Sequence, residues 1–258
     1  LIAQDTARVE TFFKQPDGVW AIPRSLESLD DVWRSRSLPG VELPLAKVYE
    51  GIEFPPRKEW TGDPTPDPDR FYTVGEYLDF EMSTEWQYDY RDGTITPKVH
   101  PGIDHMTIGM NLLVALGNRF DDTPKRAWMG SVRVAADVER GFLHPDMSVT
   151  AEKAVFLAPA DNISLTNPVL VIEIVSAETF DDDHGAKFEW YRQIESLREY
   201  LLIAEDRARV ESFHRRADGA WASGGAVDGL DGIWKSRSLG MEVPLSEIFS
   251  DVTFRIDR

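Results

Sequence analysis

The sequence predicts a mixed α/β domain whose central sheet is flanked by helices, preceded by a β-rich partial repeat. Three observations carry that prediction. Residues 103–120 have helical periodicity, residues 169–175 form an apolar β-branched run, and several period-two segments adjoin Asp-Gly pairs.

In chain order, Thr73 is placed to cap a helix from Val74 to about Met82, with Glu76 at the third helical position completing a capping box. Tyr88-Asp89-Tyr90-Arg91 and Thr94-Ile95-Thr96 flank Asp92-Gly93, a pair suited to positive φ, which predicts a hairpin. Ile103, Met106, Met110, Leu113, Val114 and Gly117 recur at helical spacing and predict a long amphipathic helix from Ile103 to Phe120. Ser131–Ala136 and Asp146–Thr150 read as strands, and Val169–Val175 as a buried one. Gly185–Ile194 reads as helix, Glu199–Ala204 and Arg209–Arg215 as strands, and Asp218-Gly219 as the next turn. No Gly-rich phosphate loop follows a strand, so a nucleotide-binding reading has no support.

The 258 residues, 42% of them hydrophobic, suffice for one large domain or two small ones with real cores. The longest apolar run, Val169–Val175, is strand-sized and contains Glu173, so no membrane association is expected. Residues 1–20 lack the basic start and cleavage site of a secretory signal, and cysteine is absent. A cytoplasmic protein is expected, without disulfides or thiolate metal sites. The net charge of −17 opposes binding to a polyanion. Arg119, Lys125, Arg126, Arg133 and Arg140 gather in one stretch, but Asp121, Asp122, Asp137 and Glu139 dilute them, and a solvated surface is expected there.

An internal repeat organises the chain. Residues 1–20 match residues 202–221 at twelve of twenty positions, and Trp33-Arg34-Ser35-Arg36-Ser37-Leu38 matches Trp234-Lys235-Ser236-Arg237-Ser238-Leu239 at five of six. The match slips by one residue, continues through Glu42-Leu43-Pro44-Leu45 and Glu242-Val243-Pro244-Leu245, and ends near Phe54 and Phe254. Residues 1–54 are therefore expected to be a hairpin-rich copy of the carboxy-terminal part of a domain at 70–258. The chain opens without Met, within an expected strand. Two histories fit: a tandem pair whose first member is mostly missing from this chain, or a partial duplication. Residues 55–69 hold five prolines and read as an extended linker.

Two carboxylates stand out. Asp146 follows Pro145 at a strand start, and Glu173 interrupts an apolar strand, where an unpaired carboxylate is costly. Meeting on neighbouring strands they would make an oxygen-rich site for Mg²⁺ or Mn²⁺, with Lys187 as the nearby cation. The alternative is a Glu at a sheet edge or paired with arginine, and an exposed helix lysine. His144 is a lesser candidate for phosphate or metal contact, and His184, amid Asp181-Asp182-Asp183, reads as loop surface.

The ordered motifs resemble the Uma2 (DUF820) family of restriction-endonuclease-like proteins, within the PD-(D/E)xK nuclease superfamily. They are Tyr72-Thr73-Val74-Gly75-Glu76-Tyr77-Leu78, Tyr88-Asp89-Tyr90-Arg91-Asp92-Gly93, His105, Pro145-Asp146, Asn167–Ser176, Gly185–Tyr191 and Ser196-Leu197-Arg198-Glu199-Tyr200. The resemblance implies a restriction-endonuclease-like core, Mg²⁺, and DNA as substrate. By position it implies Asp146 and Glu173 as metal ligands, the Ile174 carbonyl as a third oxygen, Lys187 as the family lysine, and Asp89 reaching the metal through water. His105 matches the family histidine; it reads either as a general base or as a residue bonding locally near the helix start. Tyr191 reads as packing. In the usual Glu-x-Lys spacing the lysine would fall at Val175, and Thr94 stands where the family commonly has Glu.

Two functions are thus expected to compete: a Mg²⁺-dependent endonuclease, and a catalytically inactive pseudo-nuclease acting as a binding or assembly module. A homodimer or pseudo-dimer is expected because a hairpin-rich remnant needs a partner surface.

Overall fold

The internal copy is visible in strand register. The computed structural model describes residues 9, 13–14, 20–21, 26, 28–35, 38–52, 65–98, 101–157 and 163–254, and the chain divides into two units, Leu1–Thr61 and Gly62–Arg258. In the first unit β1 (Phe13–Lys14) pairs with β2 (Trp20–Ala21), β3 (Val32–Arg34) pairs with β4 (Glu42–Pro44), and α1 (Leu45–Val48) follows. Most of the expected linker lies outside the described residues.

The second unit opens with α2 (Val74–Glu81), the hairpin β5 (Tyr88–Arg91) and β6 (Thr94–Pro97), and the long helix α3 (Ile103–Phe120). Strands β7 (Arg126–Met129), β8 (Arg133–Asp137), β9 (Gly141–Leu143), β10 (Met147–Thr150), β11 (Ser164–Leu165) and β12 (Leu170–Val175) follow. Two short helices, α4 (Phe180–His184) and α5 (Ala186–Tyr191), lead to β13 (Glu199–Ala204), β14 (Arg209–Arg215) and β15 (Trp221–Asp228). The hairpin β16 (Ile233–Ser236) and β17 (Met241–Pro244) and helix α6 (Leu245–Ile248) close the unit.

Shifted by the repeat, Val9↔Leu26, Phe13↔Ala21 and Lys14↔Trp20 become Val210↔Val227, His214↔Ala222 and Arg215↔Trp221. Likewise Trp33↔Leu43 and Arg34↔Glu42 become Trp234↔Val243 and Lys235↔Glu242. In the second unit the Trp-x-Ser-x-Ser segment has a defined job. Glu199 is buried at the start of β13, and its Oε2 accepts from the hydroxyls of Ser236 and Ser238 and from the Ser238 N–H.

A six-stranded mixed sheet in the order β15-β14-β13-β12-β10-β7 forms the centre, and a five-stranded sheet runs β11-β8-β9-β5-β6. Period-two alternation sorts the side chains of β12. Leu170, Ile172 and Ile174 join Ile108, Leu112 and Leu116 of α3 and Leu245 and Ile248 of α6 in one core. Val171 and Val175 face the other way, against Tyr191, Leu197, Tyr200 and residues of β8 and β9. Helix α2 begins as predicted. Thr73 Oγ1 accepts from the Glu76 N–H, and the Glu76 carboxylate accepts from the Thr73 N–H. The β5–β6 turn has Asp92 at φ 46° and Gly93 at φ 87°, the left-handed pair that Asp-Gly favours.

Two expectations are corrected. Helix α3 has the predicted bounds but packs on a different stripe: Ile108, Leu112, Ala115, Leu116 and Phe120 are buried, while Ile103, Met106, Met110 and Val114 are exposed. Both stripes are apolar, and periodicity alone does not rank them. The helix expected from Gly185 to Ile194 is the shorter α5, Ala186–Tyr191, and a separate helix, α4, precedes it, the two divided at Gly185 (φ −114°, ψ −97°). The acidic run Asp181-Asp182-Asp183, read as loop, is the first turn of α4, where carboxylates suit the helix dipole.

Candidate active site

Sheet register brings the two carboxylates together. The β10–β12 ladder pairs Met147 with Ile172, so one step further places residue 146 opposite residue 173. Alternation puts Glu173 on the Val171/Val175 face, and Asp146 lies beyond Met147 on that same side. Both line a cleft of about 160 Å³ together with Asp89, Lys98, His105, Ile174 and Lys187.

Asp146 is gripped on both oxygens. Its Oδ2 accepts from the Ile174 N–H at 2.7 Å, and its Oδ1 accepts from Lys98 Nζ at 2.8 Å with His105 Nε2 at 3.1 Å. Burial opposes ionisation here, yet the Lys98 ammonium and His105 hold the carboxyl well below the usual carboxylate range. Glu173 is almost completely buried. Tyr191 Oη donates to its Oε1 at 2.8 Å, and Lys187 Nζ stands 3.5 Å from that same oxygen. Burial pushes the Glu173 carboxyl up to about 8, although Lys187 pulls the other way. Lys187 is buried and donates to Asp183 Oδ1 at 2.8 Å. Burial disfavours its charge, but Glu173, Asp89 and Asp183 more than restore it, so the ammonium is retained.

Behind these groups lies a buried polar layer. Asp89 Oδ1 accepts from the His144 N–H at 2.8 Å. The His144 ring stands between Asp89 and Glu81, at 3.5 and 3.6 Å, and Glu81 in turn pairs with Arg133 at 2.7 Å. Burial alone would deprotonate His144; the two carboxylates raise its pKa instead. Arg91 forks onto Asp182 at 2.6 and 2.8 Å, tying β5 to α4 across the cleft.

The expected site residues Asp89, His105, Asp146, Glu173, Ile174 and Lys187 therefore all line one cleft. Several finer expectations change. Lys187 is not an exposed helix lysine. His105 faces Asp146 across the cleft instead of bonding only near the helix start. Ile174 presents its N–H to Asp146, a contact that sequence does not disclose. Tyr191, read as packing, touches Glu173 directly. His144 is 1% exposed and lies too deep for substrate contact. His184 ends α4, stacked on Phe180, and is not loop surface. Of the five-residue basic cluster only Arg133 is buried; Arg126 and Arg140 are exposed, as a solvated surface requires, and Arg119 and Arg140 pair with Glu247 and Asp92. Lys98 was missed outright. It follows Pro97 at the end of β6, and only the hairpin register, which fixes Lys98 N–H on the Gln87 carbonyl, carries it into the cleft.

The donor set suits a hard divalent cation only in part. Two carboxylates and backbone oxygen are the ligands Mg²⁺ takes, with water and phosphate completing its shell. Among the described residues, no three Asp, Glu or His side chains converge into a ready-made cage. On Asp146 a cation would meet an oxygen that Lys98 already holds.

Comparison with known proteins gives a consistent picture. The sequence profile of the Uma2 family, described as "Putative restriction endonuclease", matches residues 74–246. The uncharacterized protein sll1609 of Synechocystis sp. is 29% identical over 154 residues, 59% of this chain and 85% of its own length. A second Synechocystis protein, slr1290, is 26% identical over 184 residues, covering 69% and 92% of the two chains. In structure, the chain resembles a crystal structure from Anabaena variabilis titled as a putative nuclease belonging to DUF820. The TM-score is 0.56 at 19% identity, over 69% of this chain and 97% of that one, a likeness of fold.

Proposed function

Because this chain belongs to the Uma2 family, we propose that it is a metal-dependent endonuclease that hydrolyses DNA phosphodiester bonds in the cleft lined by Asp146 and Glu173. The observation that carries this reading is the pairing of Asp146 and Glu173 on one face of adjacent strands, with the Lys187 ammonium 3.5 Å from Glu173. A divalent ion held by Asp146, Glu173 and a backbone oxygen would lower the pKa of a water and neutralise phosphate charge. The remaining work belongs to the chain. Lys187, fixed by Asp183, offers positive charge to the phosphoryl oxygens. His105, oriented by Asp146, is placed to relay a proton. Tyr191 and the β12 backbone hold the carboxylates in place.

Nicking of supercoiled plasmid in Mg²⁺ tests this, with Glu173→Gln and Lys187→Met as controls. The reading expects each to lose about 100-fold in rate or more, and to remain folded by circular dichroism. Nicking by both variants at the wild-type rate would mark the activity as contamination. RNA and single-stranded DNA arms decide the polymer. The net charge of −17 makes phosphate contacts few, so DNA binding should be weak and should fall only shallowly as salt rises.

Self-association has separate support. Helix α3 is apolar on both sides, and its outward stripe of Ile103, Met106, Met110 and Val114 is exposed. An exposed contiguous apolar stripe is the kind of surface that a second copy of the chain would cover. Met110→Glu should leave the fold intact and shift sedimentation toward monomer. An unchanged dimer, or a monomeric wild type, would remove the idea. No helix among the described residues is long and apolar enough to cross a membrane.

A further inference from the structure

We propose that Lys98 is a built-in competitor for the divalent cation: its ammonium occupies the place on Asp146 that a metal must take. This inference rests on the metal-dependent reading above and concerns what controls loading of that site.

The geometry is specific. Lys98 Nζ donates to Asp146 Oδ1 at 2.8 Å and to the His144 carbonyl at 2.7 Å, so two acceptors fix it. Its side chain is 17% exposed, and it lies on the wall shared by the catalytic cleft and a neighbouring hollow lined by Trp86, Met106 and Met129. Asp146 Oδ2 is committed to the Ile174 N–H, which leaves Oδ1 as the oxygen available to a cation, and the Lys98 ammonium holds it at 2.8 Å with the His105 ring beside it at 3.1 Å. A buried carboxylate demands a counter-charge, and a lysine on a flexible stem supplies one without any ion. Divalent binding then requires the ammonium to leave Oδ1. Its free energy is reduced by whatever the Lys98–Asp146 pair contributes, and the ammonium must find other acceptors. Lys187 does not have this effect. Its partners are Asp183 and the Oε1 of Glu173, and it makes no contact with Asp146 among the described residues. The competition also explains why the cleft holds two lysines where one serves the chemistry.

The test is Mn²⁺ titration followed by electron paramagnetic resonance, which reads free ion directly and does not depend on turnover. Wild type, Lys98→Met, Lys98→Gln, and each Lys98 variant combined with Asp146→Asn are compared on the full chain, each checked for folding by its melt. Gln retains a donor for the His144 carbonyl, so it stands in if Met disturbs packing. The proposal expects either Lys98 variant to bind Mn²⁺ at least tenfold more tightly than wild type, and Asp146→Asn to erase the gain. Equal or weaker binding by both Lys98 variants, with wild type binding normally, overturns the competitor role and leaves the nuclease reading standing. No binding by any folded variant overturns both. A gain that survives Asp146→Asn places the ion elsewhere and also overturns the proposal.

Discussion

At the scale of single residues, the cleft is a set of buried charges whose cost is visible in its protonation. Glu173 is the clearest case: its carboxyl is pushed from an unfolded value near 4.5 to about 8. Between those limits the folded state holds a proton that the unfolded state has released. The associated stability is full below pH about 4.5 and is lost as pH rises through about 8. Glu173→Gln carries no such loss. In metal-free buffer its melting temperature should gain on wild type progressively from pH 5 to 8 and then level off. A difference independent of pH would show that Glu173 is not strained by burial. The sequence exposed this residue because a carboxylate inside Val-Leu-Val-Ile is anomalous by itself. Lys98 gave no such signal, since a lysine beside a proline is ordinary until the β5–β6 register carries it beside Asp146.

At the scale of elements, local chemistry set the boundaries and tertiary contact set the faces. The Thr73–Glu76 capping box was legible because both partners lie within one turn. Thr73→Ala should cost about 1 kcal/mol in urea unfolding, and a change under about 0.2 kcal/mol would show that helix end to be held by other contacts. The Asp92-Gly93 turn was legible for the same reason. The inward face of α3 was not, because it depends on which stripe meets β12 and α6, and the two stripes have similar apolar content. Helix α4, just ahead of the predicted 185–194 helix, was likewise hidden. Asp182 and Asp183 are held in α4 by partners from β5 and α5, Arg91 and Lys187, and those contacts stabilise a short helix that its own sequence would not.

At the scale of the whole molecule, the repeat supplies an internal control for burial. The same antiparallel register appears at Trp33↔Leu43 and Trp234↔Val243, yet Val243 is fully buried under α3 and α6 neighbours while Leu43 is 46% exposed. Leu38 and Leu239 differ in the same sense. Val243→Asp should therefore cost about 3 kcal/mol or more, while Leu43→Asp should stay within about 0.5 kcal/mol. Equal costs in chemical denaturation would mean that the first unit has a core of its own at that position. The duplication itself was plain in the sequence. What it packs against was not, because a copied hairpin carries its pairing with it but not its cover. The proposed chemistry requires Asp146 and Glu173 to meet around a divalent ion. A Mn²⁺-soaked crystal of the Lys98→Met chain tests it most directly, by an anomalous difference map. The account predicts a peak about 2.1 to 2.3 Å from a carboxylate oxygen of each residue. Mn²⁺ bound elsewhere, with no density between those two carboxylates, would contradict it.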